Sequence, residues 1–574
     1  MPRNRQCLPR AADCARRPLN AHSTGTQQLI RQEEKVRSDG IGQVARLIGT
    51  GLGLFASRGY RGRGRVSPQG RALLANLYTS LTLAASQFTH CDFDPREDFR
   101  HQIAGDRYAD LMKSPAGLAD SCAARLADVP PQDIATMAPM GRYDIAVLGA
   151  GAAGLAAARV LAQAGKRVVL LEARDRIGGR IFTHHAIPSQ SAAVAMELGA
   201  EFIHGLPQTT RDLIDEARLE TYELDGDHLS FAHRRFESAG ETQQHPGAAI
   251  EEMAAWLAKP PPGTDDTFAH YLDRAGIDAA QRERAASYVE SFNAADSRVI
   301  GIAALAKQQL AEDAIHSEQL FHIEAGCDAP MRFLAEKFLA AGGTLLLSHP
   351  VHQVRWSRGA VVLSGLDAGG QKFELLTARA LLTLPLAVLN AGTVRFNPAP
   401  EEILEHAARM AMGTVVRISL NFDVKFWQED VSFLFTPTEA LTAWWTPMPN
   451  RAPLITGWAG GPKAVALDQR RGDPGALLEE SLGTLSRIYG LATRELRRRL
   501  LRWQTHDWQT DPYARGAYSY APAGALNASE KMTQPVGDTL YFAGEHTDTT
   551  GHWGTVHGAL GSGLRAAAQI LTAP

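Results

Sequence analysis

Cysteine is scarce in this sequence and forms no recognisable pattern. The five cysteines are odd in number and scattered, with four of them before residue 140. This arrangement predicts neither a disulfide framework nor a zinc site, so we expect no bound metal. It is typical of a reducing compartment, and we expect a cytoplasmic protein. The cysteines are Cys7, Cys14, Cys91, Cys122 and Cys327.

Long apolar runs are absent as well. No stretch approaches the roughly 18 consecutive apolar residues that a membrane span needs, and residues 1–20 lack the apolar core of a secretion signal. The formal net charge is only −3 at pH 7. The whole-chain charge therefore gives no reason to expect a membrane or a nucleic acid as a partner.

Basic charge is concentrated at the start of the chain. Met1 to Asn76 holds 14 Arg and Lys against 4 Asp and Glu, a local net charge of +10. No recognisable catalytic or cofactor-binding motif occurs before residue 140, and we treat residues 1–140 as an N-terminal extension. Because 574 residues exceed what one hydrophobic core usually organises, we expect two or three domains.

A nucleotide-binding pattern begins at Val147. A buried strand, an alanine-rich helix and a second buried strand follow one another, which predicts a βαβ unit. Gly149, Gly151 and Gly154 form G-x-G-x-x-G between the first strand and the helix, where glycines allow a tight turn and close approach of a pyrophosphate. Glu172 ends the second strand and is placed to accept hydrogen bonds from ribose hydroxyls, which disfavours NADP.

The residues after Glu172 distinguish FAD from NAD. The stretch "EARDRIGGR", residues 172–180, resembles the second FAD signature of the glutathione-reductase-like flavoproteins. In that signature Arg180 neutralises phosphate charge, while Gly178 and Gly179 leave room for the cofactor. The pattern therefore favours FAD.

Five further segments resemble the flavin-containing amine oxidases, which include monoamine oxidases, polyamine oxidases and lysine-specific histone demethylases. They are "ELGAEFIHG" (197–205), "LTLPLAVL" (382–389), "VRFNPAP" (394–400), "WQTDPYARGAYSYAPAG" (508–524) and "YFAGEHTDTTGHWGTVHGALGSGLRAA" (541–567). Together with the fingerprint they cover nearly the whole chain after the extension.

The resemblance implies an α/β fold, α+β overall, with a Rossmann-like FAD-binding domain and a discontinuous substrate-binding domain of mixed sheet and helices. We expect the FAD-binding domain at 141–225, 320–392 and 535–574, and the substrate-binding domain at 226–319 and 393–534. The expected FAD contacts are Gly149, Gly151, Ala153, Gly154, Glu172, Ala173, Arg174, Gly179, Arg180, Gly199, Ala200, Glu201, Phe202, Val351, Pro385, Gly544, Glu545, Thr555 and Val556.

Positions within these segments shape the expected chemistry. Monoamine oxidases attach their flavin to a cysteine where this chain has Ala517, so FAD should be bound non-covalently. The family frames its substrate amine with two aromatic side chains beside the flavin. Tyr518 occupies one of these positions, whereas Thr555 occupies the other.

Three charged or polar residues complete the set of candidate catalytic residues. The family usually has a lysine near flavin N5 where this chain has Arg417, which is either a functional replacement or a structural ion-pair partner. Glu201 and His204 lie on the segment expected beside the flavin ring. Glu201 is a candidate for binding a second ammonium of a polyamine, and His204 for a polar substrate contact; both are equally consistent with supporting roles.

The resemblance implies an FAD-dependent amine oxidase. Hydride would pass from the amine α-carbon to flavin N5, giving an imine that hydrolyses to an aldehyde, and oxygen would be reduced to hydrogen peroxide. One alternative is a dehydrogenase or desaturase of the same fold with a non-oxygen acceptor. Another is a regulatory flavoprotein whose basic N-terminal segment binds nucleic acid.

Overall fold

The computed structural model describes residues 143–185, 195–232, 234–237, 265–276, 278–317, 319–468 and 474–573. The N-terminal extension, and with it the hypothesis of a nucleic-acid-binding segment, lies outside these residues. Within them, no helix is both long enough and apolar enough to cross a bilayer.

The strands are short and distributed along the whole described chain. They are β1 Tyr143–Leu148, β2 Val168–Leu171, β3 Thr183–His184, β4 Met196–Glu197, β5 Ile203–His204, β6 Thr221–Glu223, β7 Asp227–Ala232, β8 Arg235–Glu237, β9 Leu320–Ile323, β10 Thr344–Leu346, β11 Val351–Ser357, β12 Ala360–Leu366, β13 Lys372–Leu382, β14 Arg395–Asn397, β15 Ala411–Met412, β16 Val415–Phe422, β17 Val431–Phe435, β18 Ala443–Trp445, β19 Leu454–Gly460, β20 Leu500–Thr505, β21 Ser519–Tyr520 and β22 Leu540–Phe542.

Helices alternate with these strands. They are α1 Ala152–Gln163, α2 Gln208–Ala217, α3 Phe268–Arg274, α4 Ala279–Asn293, α5 Ile302–Ala314, α6 Ala329–Ala340, α7 Leu386–Asn390, α8 Glu401–Arg409, α9 Gly461–Asp468, α10 Pro474–Tyr489, α11 Thr493–Arg499, α12 Ala528–Lys531 and α13 Val556–Thr572, with a 3₁₀ turn at Glu545–Thr547.

The first sheet has eight strands and a parallel core. Strands β10, β2, β1, β13 and β22 lie side by side and parallel, while β12 and β11 add antiparallel strands and β14 closes the edge. The central strands β1 and β2 are almost continuous apolar runs because helices cover both faces of such a sheet. The predicted βαβ unit is present with β1, α1 and β2.

Helix α1 packs closely against the C-terminal helix α13. A Cβ atom at Gly563 would lie 2.2 Å from the carbonyl oxygen of Ala153, so the two backbones meet at this glycine. Because the residues at the crossing are small, the two helix axes lie closer together than larger side chains would allow. This contact brings the end of the chain back to the glycine turn at its start.

The second sheet has seven strands in the order β20-β16-β19-β18-β17-β7-β8. Its pairs are antiparallel except for β17 and β7, which run parallel. Strand β16 is buried along most of its length and lies between β19 and β20. Arg417 on this strand is therefore inside the protein, opposite Trp458 of β19.

The predicted α/β fold class is confirmed, with a Rossmann-like parallel sheet and a separate mixed sheet. The first sheet draws its strands from distant parts of the chain, in keeping with a discontinuous domain. Strand β14, Arg395–Asn397, joins that sheet although it follows the expected boundary at 392. The domain boundaries themselves stay a prediction.

Candidate active site

The turn between β1 and α1 requires glycine at two positions. Gly149 has a φ of +107°, and a Cβ atom there would lie 2.7 Å from Oγ1 of Thr383. A Cβ atom at Gly154 would lie 1.9 Å from the carbonyl oxygen of Gly149, too close for any side chain. The turn therefore holds α1 tightly against β1, with the N-terminus of the helix facing a cavity.

Glu172 supports this turn from the end of β2. Its carboxylate accepts the backbone N–H of Ala150 at 2.8 Å and that of Arg174 at 2.9 Å. The side chain is buried but lines the cavity. Because each carboxylate oxygen can accept two hydrogen bonds, Glu172 keeps acceptor capacity for a ligand.

The cavity beside the turn has a volume of about 700 Å³. Of the predicted cofactor contacts, its walls contain Gly149, Gly151, Ala153, Glu172, Ala173, Arg174, Gly179, Arg180, Val351, Pro385, Gly544, Glu545, Thr555 and Val556. Gly154, Gly199, Ala200, Glu201 and Phe202 are not among the lining residues, and Gly154 acts through backbone packing. The structure thus brings together residues from both ends of the described chain.

Arg180 and Glu545 both line the cavity and form an ion pair. Nη1 of Arg180 lies 2.8 Å from Oε1 of Glu545 and also donates to the carbonyl of Ala517. Burial raises the pKa of Glu545, but the charges of Arg180 and His546 outweigh it and the pKa is lowered. The predicted role of Arg180 toward a phosphate stays a prediction, since its guanidinium already has this partner.

Glu545 also connects the two closing motifs. Its Oε2 accepts the hydroxyl of Ser519 at 2.6 Å and the backbone N–H of Gly554 at 2.9 Å. Tyr518 and Thr555 are the chain neighbours of these two residues. One buried carboxylate therefore holds both candidate substrate-framing positions in place.

A loop after β20 contributes Pro512, Tyr513 and Arg515 to the wall of the cavity. Asp511 accepts a hydrogen bond from Nη2 of Arg174 at 2.6 Å, and the guanidinium of Arg174 lies over the rings of Trp508 and Tyr513. Burial raises the pKa of Asp511, but His506 and Arg174 outweigh it and lower the pKa to about 2. Sequence reasoning missed this contact because Arg174 and Asp511 are 337 residues apart.

A second, smaller cavity of about 30 Å³ shares Thr555 with the first. Tyr518 and His204 also line it. The phenol of Tyr518 is buried and donates to the carbonyl of Phe292 at 2.8 Å, which fixes the ring. Three of the five predicted catalytic residues therefore meet at this cavity.

The side chain of Thr555 caps the N-terminus of helix α13. Its hydroxyl accepts the N–H of Gly558 at 3.0 Å and donates to the carbonyl of His552 at 2.8 Å. It is thus the N-cap of α13, where a threonine satisfies one of the unpaired N–H groups of the first turn.

His204 is buried without a hydrogen-bond partner for either ring nitrogen among the described residues. Burial, and to a lesser degree the charge of His322, lowers the pKa of His204 well below its usual value. The imidazole is therefore neutral at pH 7, with one donor and one acceptor available to a ligand.

Arg417 and Glu201 lie apart from the two cavities and pair with each other. Nη2 of Arg417 is 2.5 Å from Oε2 of Glu201, and Nη1 donates to the carbonyl of Gly199 at 3.0 Å. Trp445 donates to the same carboxylate oxygen at 2.9 Å. The geometry favours the ion-pair alternative for Arg417, and the expectation that Glu201 receives a substrate ammonium does not fit this pairing.

Comparison with known sequences identifies the family of the chain. Residues 152–571 match the sequence family described as flavin containing amine oxidoreductase. The chain belongs to this family. Flavin is the cofactor that flavin-containing amine oxidoreductases share, and amines are their substrates, so a flavin is the group expected in the large cavity.

Relatives of this flavin-containing amine oxidoreductase fall into more than one functional class. The chain is 28% identical over 469 residues to lysine-specific histone demethylase 1 homolog 2 of Oryza sativa subsp. japonica. The alignment covers 75% of this chain and 57% of that protein. The chain is 25% identical to polyamine oxidase 4 of the same organism, and this alignment covers 74% of this chain and 87% of that protein. The chain thus spans little more than half the length of the demethylase relatives.

A solved structure shares the fold. A putrescine oxidase with bound putrescine superposes with a TM-score of 0.62 at 21% sequence identity, covering 75% of this chain and 99% of that one. At this identity the likeness establishes the fold of the family and no more.

Proposed function

We propose that this chain binds FAD non-covalently and oxidises an amine at the carbon next to nitrogen. The product is an imine, which water hydrolyses to an aldehyde, and oxygen takes the electrons to give hydrogen peroxide. One observation carries the proposal: the cavity at the dinucleotide turn shares Thr555 with a second cavity, which Tyr518 and His204 line. The ring nitrogens of His204 have no hydrogen-bond partner among the described residues.

The residues of the large cavity fit FAD. The N-terminus of α1 offers backbone N–H groups for a pyrophosphate, and Glu172 offers acceptor capacity for a ribose. Ala517 has a methyl group that cannot bond to the flavin ring, which supports non-covalent binding. When bound, the flavin supplies the two-electron oxidation that no side chain can carry out.

The residues of the small cavity suit a neutral amine. Tyr518 presents a ring fixed by its hydrogen bond to Phe292, so that one wall of the site is rigid. The lowered pKa of His204 has burial as its main cause, which means that this environment disfavours positive charge. An amine nitrogen entering beside His204 would lose its proton and keep the lone pair that oxidation at the adjacent carbon requires.

A second candidate is a dehydrogenase that passes electrons to an acceptor other than oxygen. The observation that favours it is the pairing of Arg417 with Glu201, because a cation held by a buried carboxylate is not a free positive charge for oxygen chemistry. The regulatory hypothesis depends on residues 1–140, and a salt-dependent shift of DNA by the full chain would test it. Cytoplasmic location stays a prediction.

Anaerobic absorption spectroscopy tests the proposal. The purified holoprotein should show flavin bands that bleach on addition of at least one amine from a panel of monoamines, diamines and an N-methylated lysine peptide. Air should restore the bands and produce hydrogen peroxide in equal amount. Bleaching without recovery in air supports the dehydrogenase candidate, whereas bound flavin that no amine reduces contradicts amine oxidation.

A further inference from the structure

Arg515 lines the large cavity and carries a charge that the protein leaves unmatched. It lies at the end of the 506–515 loop and is partly buried. Among the described residues no carboxylate pairs with its guanidinium, and its Nε is buried without a hydrogen-bond partner. Arg515 is not among the FAD contacts expected from the sequence, and the proposed function does not use it.

The two arginines of the FAD signature that line the cavity already have carboxylate partners. Arg174 pairs with Asp511 at 2.6 Å, and Arg180 pairs with Glu545 at 2.8 Å. Both of these charges are therefore neutralised within the protein. A partly buried cation without a counterion is unfavourable, so Arg515 favours the binding of an anion in the cavity.

The backbone of Arg515 is held in an uncommon conformation. Its φ of +56° lies in the left-handed region, which residues other than glycine rarely adopt. Its N–H donates to the carbonyl of Asp511 at 2.9 Å, and the carboxylate of Asp511 accepts from Arg174. Because Arg174 donates its own backbone N–H to Glu172 at 2.9 Å, the loop is joined to the side of the cavity where a ribose is expected.

The chain after Arg515 leads to the glycine turn. Ala517, two residues later, accepts a hydrogen bond from Arg180 at 2.8 Å. The residue before Arg180 is Gly179, where a Cβ atom would lie 3.3 Å from Cα of Gly151 in the turn. Backbone N–H groups at such a helix N-terminus suit a pyrophosphate. Arg515 is thus joined on one side to the expected ribose position and on the other to the turn.

The pyrophosphate of FAD matches this position, because it is bonded directly to the adenosine ribose and carries negative charge on both phosphates. A guanidinium can form two parallel hydrogen bonds with phosphate oxygens. We propose that Arg515 is the cation that binds the FAD pyrophosphate, the role that the FAD signature led us to expect of Arg180. This inference rests on the non-covalent FAD binding of the proposed function and adds a cofactor-binding residue to it.

A second arginine of the cavity wall provides a matched control. Arg395 on β14 lies opposite Gln353 of β11, and its Nη2 is buried without a partner in the part of the chain that the structure describes. Three strands of the first sheet separate β14 from β1 and its glycine turn. Arg395 therefore has the same charge at the same cavity, but it lies away from the expected pyrophosphate position.

Release of FAD on dilution of the holoprotein, measured by flavin fluorescence, tests this role. Arg515→Gln should release FAD roughly ten- to hundredfold faster than wild type, as expected for loss of a charge-assisted hydrogen bond. Arg515→Lys keeps the charge and should release FAD several times more slowly than Arg515→Gln. The rate for Arg395→Gln should lie much closer to that of wild type.

Thermal unfolding with and without FAD distinguishes this role from a structural one. In the deflavinated protein the charge of Arg515 has no counterion, so Arg515→Gln should unfold at the same temperature as wild type or above it. With FAD bound, the variant should unfold at a lower temperature than wild type, because it binds the cofactor less tightly.

Three results would overturn the role of Arg515 alone. One is a lower midpoint for Arg515→Gln in both forms, which would mean that the side chain only supports the loop. The others are equal release rates for Arg515→Gln and either Arg515→Lys or wild type, and faster release from Arg395→Gln than from Arg515→Gln. A wild-type chain that binds no FAD would overturn the proposed function as well.

Discussion

The guanidinium of Arg417 and the carboxylate of Glu201 form a buried ion pair with a separation of 2.5 Å between Nη2 and Oε2. Arg417 is 3% exposed and Glu201 6%. The indole N–H of Trp445 donates to the same oxygen, and the guanidinium lies 5.4 Å from the centre of the Trp445 ring. Strand β16 is thereby connected to the segment that carries His204.

Removing one partner of this pair should destabilise the fold. Arg417→Met leaves Glu201 buried without its cation, which typically costs about 3–5 kcal/mol. The thermal unfolding midpoint of the holoprotein should fall by several degrees. The double variant Arg417→Met with Glu201→Gln removes both charges and should recover much of the loss. Equal midpoints for the single and double variants would contradict the importance of the uncompensated carboxylate.

The close packing at Gly154 predicts a loss of cofactor on substitution. In Gly154→Ala the new methyl group meets the carbonyl oxygen of Gly149 and forces the β1–α1 turn to move. The ratio of flavin to protein absorbance after purification should fall severalfold. Gly561→Ala on α13 is the control, because no atom lies within 4 Å of its added methyl group. That variant should keep full flavin content and gain roughly 0.5–1 kcal/mol in helix stability.

The ion pair between Arg174 and Asp511 should slow the dissociation of flavin from the large cavity. Asp511→Asn weakens the hydrogen bonds to Arg174 and His506 that hold the 506–515 loop in the cavity wall, and flavin should dissociate several times faster. Stopped-flow fluorescence on dilution of the holoprotein measures this rate. Asp538→Asn, which breaks the exposed pair with Arg358, should leave the rate unchanged. Equal rates in both variants would show that the loop does not retain the cofactor.

Buried His546 predicts a loss of stability in acid. Burial lowers its pKa to about 4, with the charges of Arg180 and Arg565 adding to the effect and Glu545 opposing it. Below the unfolded value near 6.5 the unfolded chain takes up the proton and the folded chain does not. Stability therefore falls as pH decreases from about 6.5 to about 4, by up to about 1.4 kcal/mol per pH unit.

Comparison of wild type with His546→Gln isolates this contribution. The stability advantage of wild type should be constant above pH 7.5 and shrink steadily between pH 6.5 and 4. Thermal unfolding at half-unit pH steps measures it. A constant difference across the whole range would mean that the pKa of His546 is the same in the folded and the unfolded protein.

Features built from neighbours in the chain could be predicted from the sequence. The glycine turn, the βαβ unit and the place of Glu172 follow from apolar periodicity and the steric needs of a tight turn, because all of them act over about 30 residues. The resemblance of the later segments to the amine oxidase family also predicted Glu545 and Val556 as cofactor contacts, and both residues line the large cavity. These predictions needed no knowledge of which strand lies beside which.

Contacts between residues far apart in the chain could not be predicted from the sequence. Arg417 and Glu201 are separated by 216 residues, and whether a buried arginine faces a cofactor or a carboxylate depends on how β16 lies against the segment after β4. The nucleotide-binding unit could be predicted because its physics is local, whereas the packing of distant segments decided which buried charges pair with each other.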